Sequence, residues 1–102
     1  MLDTSLTVAV RALNGQHAEV AIGGEIDMST ESQLRAALVD LVERGAKDIV
    51  VDLADVTFLD SSGLRGLIEV IRLGAHLTLR HMRPAVRMVF DIVTIPALTI
   101  ED

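Results

Sequence analysis

The chain alternates between two hydrophobic rhythms. Ser5 to Val10 has Leu6, Val8 and Val10 on one face, and Ala18 to Ile22 resumes the alternation with Val20 and Ile22. A period of two predicts half-buried strands. Asn14-Gly15 lies between them, and both residue types tolerate positive φ, so the pair reads as an antiparallel hairpin. The second strand runs on through Gly23-Gly24 to Ile26. The rhythm then changes to three and four, with Leu34, Ala37, Leu38, Leu41 and Val42 forming one helical stripe. Thr30 and Gln33 stand at capping-box spacing before it, and Gly45 closes it in the position where helices turn left-handed.

Asp48 to Leu53 reads as a central strand, because Ile49, Val50 and Val51 are consecutive and β-branched. After Ala54-Asp55-Val56-Thr57, the segment Phe58-Leu59-Asp60-Ser61-Ser62-Gly63 leads into a second helix with Leu64, Leu67, Ile68 and Ile71 as its stripe. Gly74 ends that helix, and Leu77 and Leu79 alternate with Thr78 and Arg80 in a short strand. Pro84 suits a first helical position, ahead of a third stripe of Val86, Val89, Phe90 and Val93. Pro96 stops this helix, and Ala97 to Ile100 forms a possible last strand. The resulting order, β-β-α-β-α-β-α, specifies an α/β fold. Right-handed crossovers make strands two, three and four parallel, with strand one antiparallel. The pattern leaves open whether the helices cover one sheet face or both.

Composition narrows the function. The 102 residues suit one domain spanning 1–102, without repeats or linkers. The formal charge of -6 repels nucleic acid, and the aromatics are only Phe58 and Phe90, both in apolar stretches, so base stacking is not expected. No apolar run reaches the ~18 residues of a membrane span. Met1-Leu2-Asp3 lacks the basic and apolar regions of a signal peptide. With no cysteine, these features predict a cytoplasmic domain without membrane insertion.

Sites in such sheets form beyond the carboxyl ends of the parallel strands. Two loops are expected there: Gly24 to Ser29, carrying Asp27, and Leu59 to Gly63, carrying Asp60, Ser61 and Ser62. Ser61 and Ser62 begin a helix, where a serine can serve as a simple N-cap or hold a phosphate against the helix end. Gly63, lacking a Cβ, is either a permissive turn residue or a place where another chain approaches. Asp27 and Asp60 can orient a hydroxyl or a magnesium ion, or simply solvate and cap their loops. His17, His76 and His81 are expected in or beside strands away from this end, so Ser61 lacks a catalytic base and no metal site is implied. Arg80, His81, Arg83 and Arg87 form a basic cluster read as a solvated end that balances carboxylates. Met82 and Met88 are expected in the core or at its boundary.

Gly24-Glu25-Ile26-Asp27, Val50-Val51-Asp52-Leu53, Phe58-Leu59-Asp60-Ser61-Ser62-Gly63-Leu64, Pro84-Ala85-Val86-Arg87 and Phe90-Asp91 occur here in this order. The ordered set resembles STAS domains over nearly the whole chain, in particular the anti-sigma factor antagonists. The resemblance implies a mixed β-sheet with amphipathic helices mainly on one face. It implies no enzyme activity and no cofactor. In that subgroup an anti-sigma factor that is also a serine kinase binds the unmodified domain and releases its sigma factor. The kinase then modifies the first serine of the Asp-Ser-Ser-Gly motif, which maps to Ser61, and a serine phosphatase resets it. Asp27, Asp60, Ser62 and Gly63 map to partner-binding or phosphosite-supporting positions. A second STAS subgroup, the short accessory subunits of lipid-transporting ABC complexes, resembles this chain in stopping soon after Ile100, but commonly lacks the acceptor serine.

Overall fold

The structure is a computed structural model and describes residues 6–91 and 93–101. Ser5, the expected opening of the first strand, and the Met1-Leu2-Asp3 start lie outside these residues. The elements are β1 (Thr7–Asn14), β2 (His17–Ile26), α1 (Glu31–Glu43), β3 (Asp48–Leu59), α2 (Ser61–Arg72), β4 (His76–Arg80), α3 (Pro84–Arg87), a 3₁₀ turn (Met88–Phe90) and β5 (Leu98–Glu101). They build a five-stranded sheet in the order β1-β2-β3-β4-β5. β1 runs antiparallel to β2, and the other pairings are parallel.

The hairpin closes on Gly15-Gln16, with Asn14 and His17 as the last pair. Gly15 takes the positive φ at the first loop position, as a II′ turn requires.

Strand order follows chain order. Right-handed crossovers taken repeatedly in one direction place every connecting helix on the same sheet face. Burial agrees. Ala18, Ile49 and Leu77 are register partners, as are Val20, Val51 and Leu79, and all six are buried. They meet Leu34, Leu38 and Leu41 of α1, Leu67 and Val70 of α2, and Val86 and Phe90 in one core. Each large aliphatic side chain buried there contributes about 1.5–3 kcal/mol.

The opposite face is polar. Arg80 lies between Glu19, at 3.5 Å, and Glu101, at 2.7 Å. His76 shares a 2.8 Å hydrogen bond with Thr99. Asp52, nearly buried, accepts from Arg11 at 2.7 Å and from the Ala54 N–H at 3.0 Å. His81 stands 3.4 Å from the same carboxyl group. Much of the basic cluster is thus spent on carboxylates of the sheet, while Arg83 donates to the Ala54 carbonyl.

Several expectations need correction. β3 does not end at Leu53 but continues to Leu59, with register shifts between Ala21 and Gly23 and between Gly24 and Glu25 of its partner β2. Each shift gives β3 one extra residue, which reverses the alternation of faces. Leu53, Val56 and Leu59 are therefore all buried despite spacings of three. The expected capping box does not form: Thr30 makes no side-chain cap bond, and Gln33 Oε1 accepts from the Leu6 N–H at 2.9 Å. The third helix tightens into a 3₁₀ turn after Arg87, and Val93 lies exposed beyond it. Met88 is 68% and Phe58 46% exposed, so neither is a core residue. His81 sits just past the carboxyl end of β4, at the level of Asp52 rather than of Leu59.

Candidate functional site

β3 pairs with β4 only as far as Asp52, whereas its pairing with β2 continues to Leu59. Two strands therefore extend past the rest of the sheet and end together at the register pair Ile26–Leu59. The Asp60 N–H donates to the Ile26 carbonyl at 3.2 Å and ties the two exits. This corner carries Asp27 on one side and Asp60, Ser61 and Ser62 on the other.

Asp60 is the N-cap of α2. Its extended backbone, φ −113° and ψ −169°, turns the chain from strand to helix, and its carboxylate accepts the Ser62 N–H at 2.8 Å. Its carbonyl receives the Leu64 N–H at 3.2 Å, the first bond of the helix. The cap is thus the aspartate, and Ser61 is left over. Ser61 is exposed, and its hydroxyl has no partner among the described residues. Ser62 behind it is half-buried.

Asp27 holds its own loop. Its Oδ1 accepts from the Ser29 hydroxyl at 2.7 Å, the Ser29 N–H at 2.8 Å and the Thr30 hydroxyl at 3.4 Å. The Ser29 hydroxyl, then the Ser29 N–H, holds its carboxyl below the ordinary carboxylate value, against an opposing effect of desolvation. Thr30, 2% exposed, donates to the Glu25 carbonyl at 2.7 Å and accepts the Asp27 N–H at 3.0 Å. Thr30 is a loop-shaping residue that the capping-box reading misplaced. A buried threonine after a polar turn, with its hydroxyl in reach of the strand end, is the signal for it.

Gly63 does not open onto solvent. A Cβ there would stand 2.6 Å from Ile26 Cγ2 and 3.0 Å from Leu59 Cγ, so its bareness lets α2 pack onto the two strand ends. The approach it permits is internal, not that of another chain. Two apolar side chains lie uncovered near the corner: Met28, 85% exposed in the Asp27 loop, and Phe58. An apolar residue amid Asp27, Ser29 and Thr30 marks Met28 in the sequence.

Among the described residues, no group of three or more His, Cys, Asp or Glu side chains could hold a metal ion. No helix among them is long and apolar enough to cross a membrane. A cleft of about 410 Å³ lies at the opposite end of the helices, lined by Val42, Gly45, Ala46, Lys47, Leu73 and Gly74. It is remote from Ser61 in the fold.

The family described as "Mlab, STAS domain" matches residues 9–98. The chain belongs to the STAS domain family. Among curated relatives of this STAS domain is an anti-sigma-B factor antagonist from Bacillus subtilis strain 168, 35% identical over 83 residues, 78% of this chain and 75% of the relative. Anti-sigma-B factor antagonists from Staphylococcus epidermidis match at 44% identity over 46 residues, and the chain spans under half, 43%, of their length. An anti-sigma factor antagonist from Mycobacterium paratuberculosis superposes with a TM-score of 0.71 at 28% identity, covering 85% of this chain and 76% of that one. The anti-sigma factor antagonist SpoIIAA, in its unphosphorylated form, gives a TM-score of 0.71 at 20% identity, with coverage of 94% and 88%, and thereby shares the fold. The mixed sheet with three helices is the STAS fold.

Proposed function

We propose that this chain, as one STAS domain over residues 1–102, is a cytoplasmic anti-sigma factor antagonist. In its unmodified form it binds an anti-sigma factor that is also a serine kinase, and the sigma factor is released. Phosphorylation of Ser61 ends that binding, and a serine phosphatase restores it. The observation that carries this reading is the exposed, unpartnered hydroxyl of Ser61, freed from capping duty by Asp60. Relatives named as anti-sigma-B factor antagonists support it.

The switch needs no change of fold. A phosphate on Ser61 adds about −1.5 to −2 charges next to Asp60, at a corner that also carries Asp27. Closing a partner over that charge brings repulsion and desolvation. A loss of ~4 kcal/mol lowers affinity about a thousandfold. Asp27 and Asp60 shape the surface, Ser62 continues the helix behind the acceptor, and Gly63 seats it. Met28 and Phe58 offer the apolar contact that such a corner needs at the centre of an interface. Ser61 is a substrate position rather than a nucleophile. The nearest histidine in strand topology, His81, stands at the level of Asp52.

Size-exclusion chromatography with each candidate anti-sigma kinase tests the reading. The unmodified chain should form a complex, and the Ser61-phosphorylated chain should elute alone. Equal binding of both forms would overturn the switch at Ser61, and a stable complex with an ATPase and permease and with no such kinase would establish a constitutive accessory subunit instead.

A further inference from the structure

We propose that Arg65 is the positioning residue for the phosphate on Ser61, clasping it along the exposed face of α2; this rests on the reading of Ser61 as a phospho-acceptor. Ser61 and Arg65 are both exposed and stand one helical turn apart within Ser61–Arg72. That spacing sets the Cβ atoms ~5–6 Å apart, and the anion lies on the N-terminal side of the cation, the better order for an intrahelical pair.

Arg65 is also available. Arg11, Arg35, Arg44, Arg72 and Arg80 each pair with a carboxylate. Arg83 donates to the Ala54 carbonyl, and Arg87 is engaged as well. Arg65 alone among the described arginines makes no hydrogen bond or ion pair. Its one-turn neighbour on the other side, Glu69, is occupied by Arg72 at 3.3 Å. In the unmodified chain the guanidinium therefore has no anion to hold, and phosphorylation supplies one. A planar guanidinium can meet two phosphate oxygens with a fixed pair of parallel N–H groups, a geometry that a lysine ammonium does not present. The Ser62 N–H is already taken by Asp60, and the Arg65 guanidinium adds a charged side-chain donor that can orient the group.

The pair stabilises the dianionic phosphate over the monoanion, so it lowers the second phosphate pKa from its usual value of about 6. The test is a phosphorus NMR pH titration of the full chain with phosphoserine incorporated at position 61 during synthesis. Arg65→Gln should raise that pKa by roughly half a unit at low salt, and Arg65→Lys should recover part of the difference. Circular dichroism of each variant checks that α2 is intact. Identical phosphate pKa values in the parent and in Arg65→Gln would overturn the proposal. No kinase enters this titration. Failure of every kinase to modify Ser61 would sink the proposed function while leaving the Arg65 result readable.

Discussion

The main-chain N–H of Asp60 donates to the carbonyl of Ile26 at 3.2 Å, so the Asp27 loop and the Ser61 turn leave the sheet side by side. This bond joins residues distant in sequence into one corner. It also fixes the start of α2, because the residue that donates it is the cap of that helix.

Removing the cap tests that division of labour. Asp60→Ala frees the Ser62 N–H and should cost about 1 kcal/mol, read from urea unfolding. Asp60→Asn keeps an acceptor oxygen and should lose only a few tenths. Ser61→Ala should leave the unfolding midpoint unchanged, since Ser61 caps nothing. A large loss for Ser61→Ala would make the serine structural.

The two buried glycines of α2 should respond oppositely. At Gly63 a methyl group would press into Ile26 and Leu59, so Gly63→Ala should destabilise by about 1–3 kcal/mol. At Gly66 the nearest atom is Glu31 Oε1 at 3.0 Å, the end of a flexible side chain. Gly66→Ala should fall between neutral and a gain of about 1 kcal/mol, because alanine favours helix interiors. Differential scanning calorimetry distinguishes the pair.

Asp52 governs part of the acid limb of stability. Burial pushes its pKa up, but the Ala54 N–H, Arg11 and His81 together outweigh that and hold it below the ordinary value. A carboxylate depressed on folding contributes stability above its unfolded pKa of about 3.9, and that stability is lost as pH falls through the folded value. Unfolding midpoints measured from pH 6 downward should therefore drop below about pH 4. Asp52→Asn should flatten that drop, whereas an unchanged acid profile would assign the limb to other groups.

Asp27→Asn separates shape from charge. It retains an oxygen for the Ser29 and Thr30 bonds, so the loop should persist, while Asp27→Ala should loosen it. If the kinase needs only the loop's shape, Asn will support binding and Ala will not. If it needs the charge, both variants should bind weakly in an isothermal titration.

Much of this was legible because local periodicity and global topology agree. The Leu34, Leu38 and Leu41 stripe, the Asn14-Gly15 hairpin signal and the Gly45 and Gly74 stops each correspond to an observed element. β3 resisted because its two extra residues break the period of two, so Leu53, Val56 and Leu59 resemble no single strand face. The side of Gly63 was also hidden. A glycine's sequence context says that space is needed, not whether Ile26 or a partner fills it. Likewise Thr30 and Gln33 have capping-box spacing, but the strand-end carbonyl of Glu25 and the Leu6 N–H compete for their side chains and win.

The most direct test of the central claim is site-resolved mass spectrometry after incubating the chain with ATP and each candidate anti-sigma kinase, with Ser61→Ala in parallel. A single phosphate is expected, on Ser61, absent from the variant. A folded chain that no active kinase modifies, or a phosphate that persists in Ser61→Ala, would contradict it.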